Sequence, residues 1–284
     1  MQPRRFPVAT ALAILLAFPP TLALAGERTQ TGPSSASNPV VVGFPSGDGL
    51  EITAELYSPH RSAKTPLIVL CHQAGWSRGE YREIAPRLNA LGFNCLALDQ
   101  RSGEGVEGVS NETAARAAAA GMGATYVDAL PDIVAALRWA RTEHATGPVL
   151  LWWSSYSAAL ALKVAGDHPE LVDGVLAFSP GEYFVRFGKP EDWVGRSAAT
   201  IRCPSFITSA RGEHDSWRSL HAAIPTDTKA SYRPVSAGNH GSRALWSRFD
   251  DNADYWAAVE SFLDSWASSP PAALGSKAPE APRR

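Results

Sequence analysis

Three cysteines, an odd number, are too few for the disulfide framework of a small secreted scaffold. Cys71 and Cys95 fall in expected strands and Cys203 just before another, so buried free thiols are the expectation. None has a Cys-x-x-Cys or other metal-ligand spacing. Excess charge is also missing: 26 Lys and Arg against 28 Asp and Glu leave a formal net charge of −2. Such a chain offers no electrostatic attraction for nucleic acid or an anionic membrane. There is no phosphate-binding loop, no dinucleotide fingerprint and no His-Glu-x-x-His helix. No metal and no cofactor is therefore expected.

What is present is an ordinary globular composition, 45% hydrophobic and 19% charged, enough to bury a sizeable core. At 284 residues one domain is expected. Nine tryptophans are available mainly for core packing, with some free to wall an apolar substrate.

The ends read differently from the middle. Arg4 and Arg5 precede an apolar stretch, Val8 to Phe18, that is too short to span a bilayer. Ala23-Leu24-Ala25 has the small-x-small form of a cleavage site. Residues 1–25 are read as a signal peptide, so the chain is expected to be exported, periplasmic or secreted, with no stable membrane span after cleavage. Residues 26–39 read as a flexible lead-in, and 268–284 as a disordered tail rich in Pro and Ala. The folded domain is expected over 40–267.

Within it, short apolar runs alternate with helical patterns. Val40–Phe44 and Leu50–Tyr57 read as paired strands, and Leu67–Cys71 as a strand buried on both faces. Tyr81, Ile84, Leu88 and Leu91 follow at helical spacing, closed by Gly92. Asn94–Leu98 is the next strand. An amphipathic helix is expected over 126–141, with Pro131 at a kink or at its true start. Val149–Trp153 runs directly into a helix over 158–165. Val175–Phe178, Phe206–Thr208 and Tyr232–Val235 are further strands, before a closing helix carrying Trp256, Val259, Phe262, Leu263 and Trp266. Strands alternating with helices predict an α/β fold, a mostly parallel sheet covered on both faces. Its site belongs at the carboxyl ends of the strands.

At that end of Val149–Trp153 lies Trp153-Ser154-Ser155-Tyr156-Ser157, a strand, tight turn and helix in succession. The segment resembles the G-x-S-x-G nucleophile elbow of the α/β-hydrolase family. In that frame Ser155 is the nucleophile, Ser157 takes the second glycine position, and Trp153 departs from the pattern at the first. In a rival frame Ser157 is the nucleophile, flanked by the small residues Ser155 and Ala159. The family order of serine, acid and histidine is met downstream. His240, in Ala-Gly-Asn-His-Gly after the last expected strand, takes the place of the base. Gly212-Glu213-His214-Asp215 resembles the family's G-x-x-D turn and favours Asp215 as the acid, with Glu213 as the alternative.

The resemblance also implies an oxyanion hole formed by the backbone N–H of Tyr156 and that of Gln73, in the loop His72-Gln73-Ala74-Gly75, with His72 bracing the loop. Asp99-Gln-Arg-Ser-Gly-Glu-Gly105 resembles the family's D-x-R-x-x-G turn, a marker of the fold. Little chain separates Val175–Phe178 from Phe206, which leaves a short cap over about Gly181–Thr200 with Tyr183, Phe184, Phe187 and Trp193. Trp76, Tyr183 and Phe184 are the expected pocket wall.

The build is similar to dienelactone hydrolases and small esterases. What the resemblance implies is a serine hydrolase that cleaves a carboxylic ester of a small molecule through an acyl-enzyme. A peptidase or thioesterase on the same machinery is the alternative, as is a non-catalytic binding protein with a degenerate elbow.

Overall fold

The computed structural model describes residues 38–144 and 147–268. The expected signal peptide, most of the lead-in and nearly all of the tail lie outside these residues.

The sheet is built from β1 (Val40–Pro45), β2 (Glu51–Tyr57), β3 (Leu67–Cys71) and β4 (Asn94–Leu98), then β7 (Val149–Ser154), β8 (Gly174–Phe178), β9 (Ser205–Thr208) and β10 (Lys229–Tyr232). A two-stranded ribbon, β5 (Gly105–Val106) with β6 (Val109–Ser110), stands apart from it. The eight strands are ordered β1-β2-β4-β3-β7-β8-β9-β10. β2 pairs antiparallel with both β1 and β4, and every other pairing is parallel. The central strands β3, β4, β7 and β8 are buried at every residue, which is why they appear in the sequence as unbroken apolar runs.

Helices cover both faces. α3 (Leu130–Trp139), α4 (Tyr156–Asp167), α5 (Trp193–Ala198) and α6 (His214–Ala223) contribute to one apolar cluster, with Ile133, Leu137, Leu160, Leu162, Val194 and Trp217. α1 (Ile84–Ala90) and α7 (Asn252–Ser268) contribute to the other, with Ile84, Leu88, Trp256, Phe262 and Trp266. Period-two alternation divides neighbours on one strand between the clusters, so Trp152 packs with α7 and Trp153 with α4. Pro131 sits in the first turn of α3, where its missing N–H costs nothing. α2 (Glu112–Ala119) is capped by Asn111, whose side chain accepts from the Ala114 N–H at 2.8 Å.

Three segments differ from expectation. The helix expected over 126–141 begins only at Leu130, with Pro131 in its first turn. The last strand is Lys229–Tyr232, three residues earlier than Tyr232–Val235. Pro234 has no N–H to give to a ladder, and Val235 is 85% exposed. The segment 181–200 holds a crossover helix, α5, packed beside α4. The Glu182 carboxylate accepts from the N–H groups of Val194 and Gly195 in its first turn.

The turn after β4 is braced by buried charge. The Asp99 carboxylate takes the Arg78 guanidinium at 2.6 Å and the N–H groups of Arg78 and Glu112 at 2.9 Å. Arg101, its side chain 3% exposed, meets the wholly buried Asp132 of α3 at 2.6 Å and Asp48 of the β1–β2 turn at 2.6 Å. The D-x-R marker thus ties the sheet to α3, to the β1–β2 turn and to the segment before α1. Arg101→Met strips the buried Asp132 of its counter-charge, so it is expected to lower unfolding stability by about 3–5 kcal/mol, read from the urea midpoint at constant m-value.

Candidate active site

The chain leaves β7 and enters α4 at Ser155, whose backbone adopts φ 61° and ψ −124°. That conformation strains any residue with a side chain. It is held by a hydrogen bond from the Ser155 N–H to the Phe178 carbonyl at 2.7 Å. The bulk of Trp153 at the elbow's first position is accommodated because its in-register neighbours on the flanking strands, Cys71 and Ala177, are small. Its ring lies in the core against the helical layer.

The elbow presents the Ser155 hydroxyl to His240. Nε2 of the imidazole lies 2.7 Å from Ser155 Oγ, and Nδ1 lies 2.6 Å from Oε1 of Glu213. The side chains of His240 and Glu213 are each 31% exposed, so the line is half open to solvent. With Nδ1–H donating to the carboxylate, Nε2 is left to accept the serine proton. The second Glu213 oxygen accepts from Ser179 Oγ at 2.7 Å, and Ser179 Oγ accepts in turn from the Gly241 N–H at 2.9 Å. Burial pushes the Glu213 carboxyl up, but hydrogen bonds from His240 and Ser179 outweigh it and hold it below its ordinary value.

The histidine loop is fixed at close range. The Ser242 N–H donates to Ser154 Oγ at 2.9 Å, one residue before the elbow serine. Gly241 has φ +73°, and a Cβ there would collide with the same Ser154 oxygen, so the position requires glycine.

Asp215 does not reach the imidazole. α6 begins at His214, which carries the Asp215 side chain out to solvent, 89% exposed and 3.2 Å from Arg218. Glu213, the last residue of the preceding turn (Arg211–Glu213), points inward instead. The alternative serine is also out of reach. Ser157 is buried, and its hydroxyl sits between the carbonyls of Ser154, Cys71 and His72 at 2.7, 3.1 and 2.8 Å. It staples α4 to the loop after β3.

That loop departs from expectation as well. The Gln73 N–H is already bound to Oε2 of the buried Glu80, at 2.8 Å. It is not free to meet a substrate. The next amide along, Ala74 N–H, has no acceptor among the described residues. Tyr156 opens α4, where an N–H has no intrahelical partner. The amides of Ala74, in the loop after β3, and of Tyr156, next to Ser155 in the chain, are therefore without an acceptor among the described residues. His72 braces the loop: Nδ1 donates to the Gln73 carbonyl at 2.8 Å and Nε2 accepts from the Gln100 N–H at 3.0 Å. Burial pushes this imidazole below its ordinary pKa, so it stays neutral.

Of the expected pocket wall, Phe184 is fully buried, its ring edge-on to Trp193 with centroids 4.9 Å apart, and is unavailable to a ligand. Tyr183 donates its hydroxyl to the Ser179 carbonyl at 2.7 Å, on the acid side of the site. Trp76 stacks on Trp246, centroids 5.2 Å apart. Beside the elbow, Tyr126 stacks on Tyr156 at 4.2 Å, and Phe187, an aromatic of the expected cap, is edge-on to Tyr126 at 5.4 Å. Among the described residues no group of His, Cys, Asp and Glu is arranged to hold a metal ion, and no helix is long and apolar enough to cross a membrane.

The sheet order and the elbow at the end of β7 are those of an α/β-hydrolase. A family model described as "Serine aminopeptidase, S33" matches residues 62–207, half of the chain, and the protein belongs to that family of serine hydrolases. No curated protein matches the sequence. Solved structures with the same fold include the esterase Pf2001 of Pyrococcus furiosus, 16% identical, covering 80% of this chain and 92% of its own at a TM-score of 0.60. A dienelactone hydrolase from Anabaena variabilis, also 16% identical, covers 82% and 98% at 0.59. Est1E from Butyrivibrio proteoclasticus, 12% identical, covers 82% and 100% at 0.60.

Two measurements follow from this geometry. Glu213→Gln is expected to lower kcat by about 10⁴-fold by losing the tautomer lock, whereas Asp215→Asn stays within about twofold of the parent in the same assay. Burial pushes the Glu80 carboxyl up to about 7. A carboxyl raised in the folded state withdraws stability as pH climbs from its ordinary value toward 7. Glu80→Gln should therefore raise Tm at pH 8, with the gain shrinking at pH 5; an equal gain at both pH values contradicts the assignment.

Proposed function

We propose that the protein is an exported serine hydrolase that cleaves carboxylic esters of small molecules. One observation carries the reading: a single imidazole within 2.7 Å of a strained elbow serine and 2.6 Å of a carboxylate. In the proposed cycle Ser155 Oγ attacks the ester carbonyl carbon while His240 Nε2 takes its proton. The tetrahedral oxyanion is received by the N–H groups of Ala74 and Tyr156, and the resulting imidazolium is stabilised by Glu213. Collapse breaks the bond to the leaving alkoxide, which receives the proton from His240. Water, deprotonated by the same nitrogen, then releases the acid and restores Ser155.

The acid in this scheme is Glu213, in place of the Asp215 that motif spacing favours. The ester preference draws on solved structures of this fold, among them esterases and a dienelactone hydrolase. The family description favours a second reading, removal of an N-terminal amino acid from a peptide by the same residues. Export rests on the basic, apolar and small-residue succession within residues 1–25.

A fluorophosphonate probe is expected to label the protein at one serine. Ser155→Ala should abolish labelling and lower kcat by roughly six orders of magnitude, while Ser157→Ala leaves labelling in place. A panel of p-nitrophenyl esters of graded acyl length, run beside amino-acid p-nitroanilides, separates the two substrate readings. Turnover of the anilides alone sinks the ester assignment.

A further inference from the structure

Glu80 is a buried acid for which the proposed cycle has no direct use. It lies in the short turn Arg78–Tyr81 and is fully buried. Its Oε2 accepts from the Gln73 N–H at 2.8 Å, and its own carbonyl accepts from the Trp246 indole at 2.9 Å, just beyond the histidine loop. Its other oxygen, Oε1, has no hydrogen-bond partner among the described residues. The Ser154 hydroxyl lies beside the carboxylate, as does the charge of Arg243. Tyr81 and Cys71 are the further titratable groups whose fields it shares. Three loops converge on this one residue: the loop after β3 and the elbow, through Ser154, at its carboxylate, and the segment following the histidine loop at its backbone carbonyl, through Trp246.

We propose that Glu80 is a positioning residue: by holding the Gln73 amide inward it turns the next amide, that of Ala74, toward the oxyanion above Ser155. Successive amides of this turn have separate duties, one structural and one facing the substrate. Without the Glu80 acceptor the Gln73 N–H is a buried donor with no partner, and the loop relaxes to satisfy it. A shift of about 1 Å in an oxyanion donor is enough to cost up to about a hundredfold in rate.

The inference rests on the serine-hydrolase reading, and its test separates the two. Glu80→Asp keeps the charge but withdraws the carboxylate by one methylene from the Gln73 N–H. It is expected to lower kcat ten- to hundredfold with KM within about twofold. Phenylboronic acid, which forms a tetrahedral adduct on the serine, should bind more weakly by a similar factor. Glu80→Gln returns an acceptor at the original reach and is expected to restore kcat to within about threefold.

The inference is overturned if Glu80→Asp keeps kcat within twofold, if the loss falls in KM with boronate affinity unchanged, or if Glu80→Gln loses as much as Glu80→Asp. A parent protein that neither takes the fluorophosphonate nor turns over any ester or anilide overturns the function reading instead. Thermal unfolding of each variant at the assay pH checks that all remain folded.

Discussion

The structure turns on one backbone conformation. At Ser155 the chain must pass from β7 into α4 in a single residue, and it does so at a positive φ that costs roughly 1–3 kcal/mol for a residue with a side chain. Nothing local repays that cost. It is met by the packed sheet on either side, which fixes the end of β7 between β3 and β8, and by the Ser155 N–H bond to Phe178. The consequence is that the serine hydroxyl stands clear of the helix at the rim where other loops end. His240 and Glu213 reach it from the loops after β10 and β9, at distances that leave no gap for water between the three groups.

The loops themselves are not free to choose where they end. Polar groups buried beneath the rim tie them to one another: Ser157 binds the carbonyls of Cys71 and His72, Ser242 binds Ser154, and Ser179 joins Gly241 to Glu213. Below these, Asp99 and Arg101 brace the turn after β4 against α3, the β1–β2 turn and the segment before α1. Short hydroxyl side chains dominate the layer nearest the site. Each can fill a donor and an acceptor role in little volume, which lets separate loops converge closely.

Much of this was legible in the sequence, for a physical reason. Strands buried on both faces have to be continuous apolar runs, and Leu67–Cys71 and Asn94–Leu98 were placed to the residue. The elbow was legible because strand, small turn and helix leave few frames for the serine. Edges and side-chain directions were not. β10 has one unpaired side and mostly half-exposed residues, so its pattern is weak, and the more apolar Tyr232–Val235 drew the boundary too late. Asp215 fits the motif spacing, but α6 starts one residue earlier and turns it to solvent. Phe184 is aromatic and near the site in sequence, yet its ring belongs to the core. The exchange of Gln73 for Ala74 as free amide was hidden because it depends on where Glu80 folds back, seven residues later.

The most direct test is a crystal structure of the protein after reaction with a fluorophosphonate, whose adduct copies the tetrahedral intermediate. Phosphorus is expected on Ser155 Oγ, with its non-ester oxygen about 3 Å from the backbone nitrogens of both Ala74 and Tyr156. Phosphorus on another residue, or an oxygen that meets the Gln73 nitrogen after Glu80 has let it go, would rule out Ser155 as nucleophile or Ala74 as oxyanion donor.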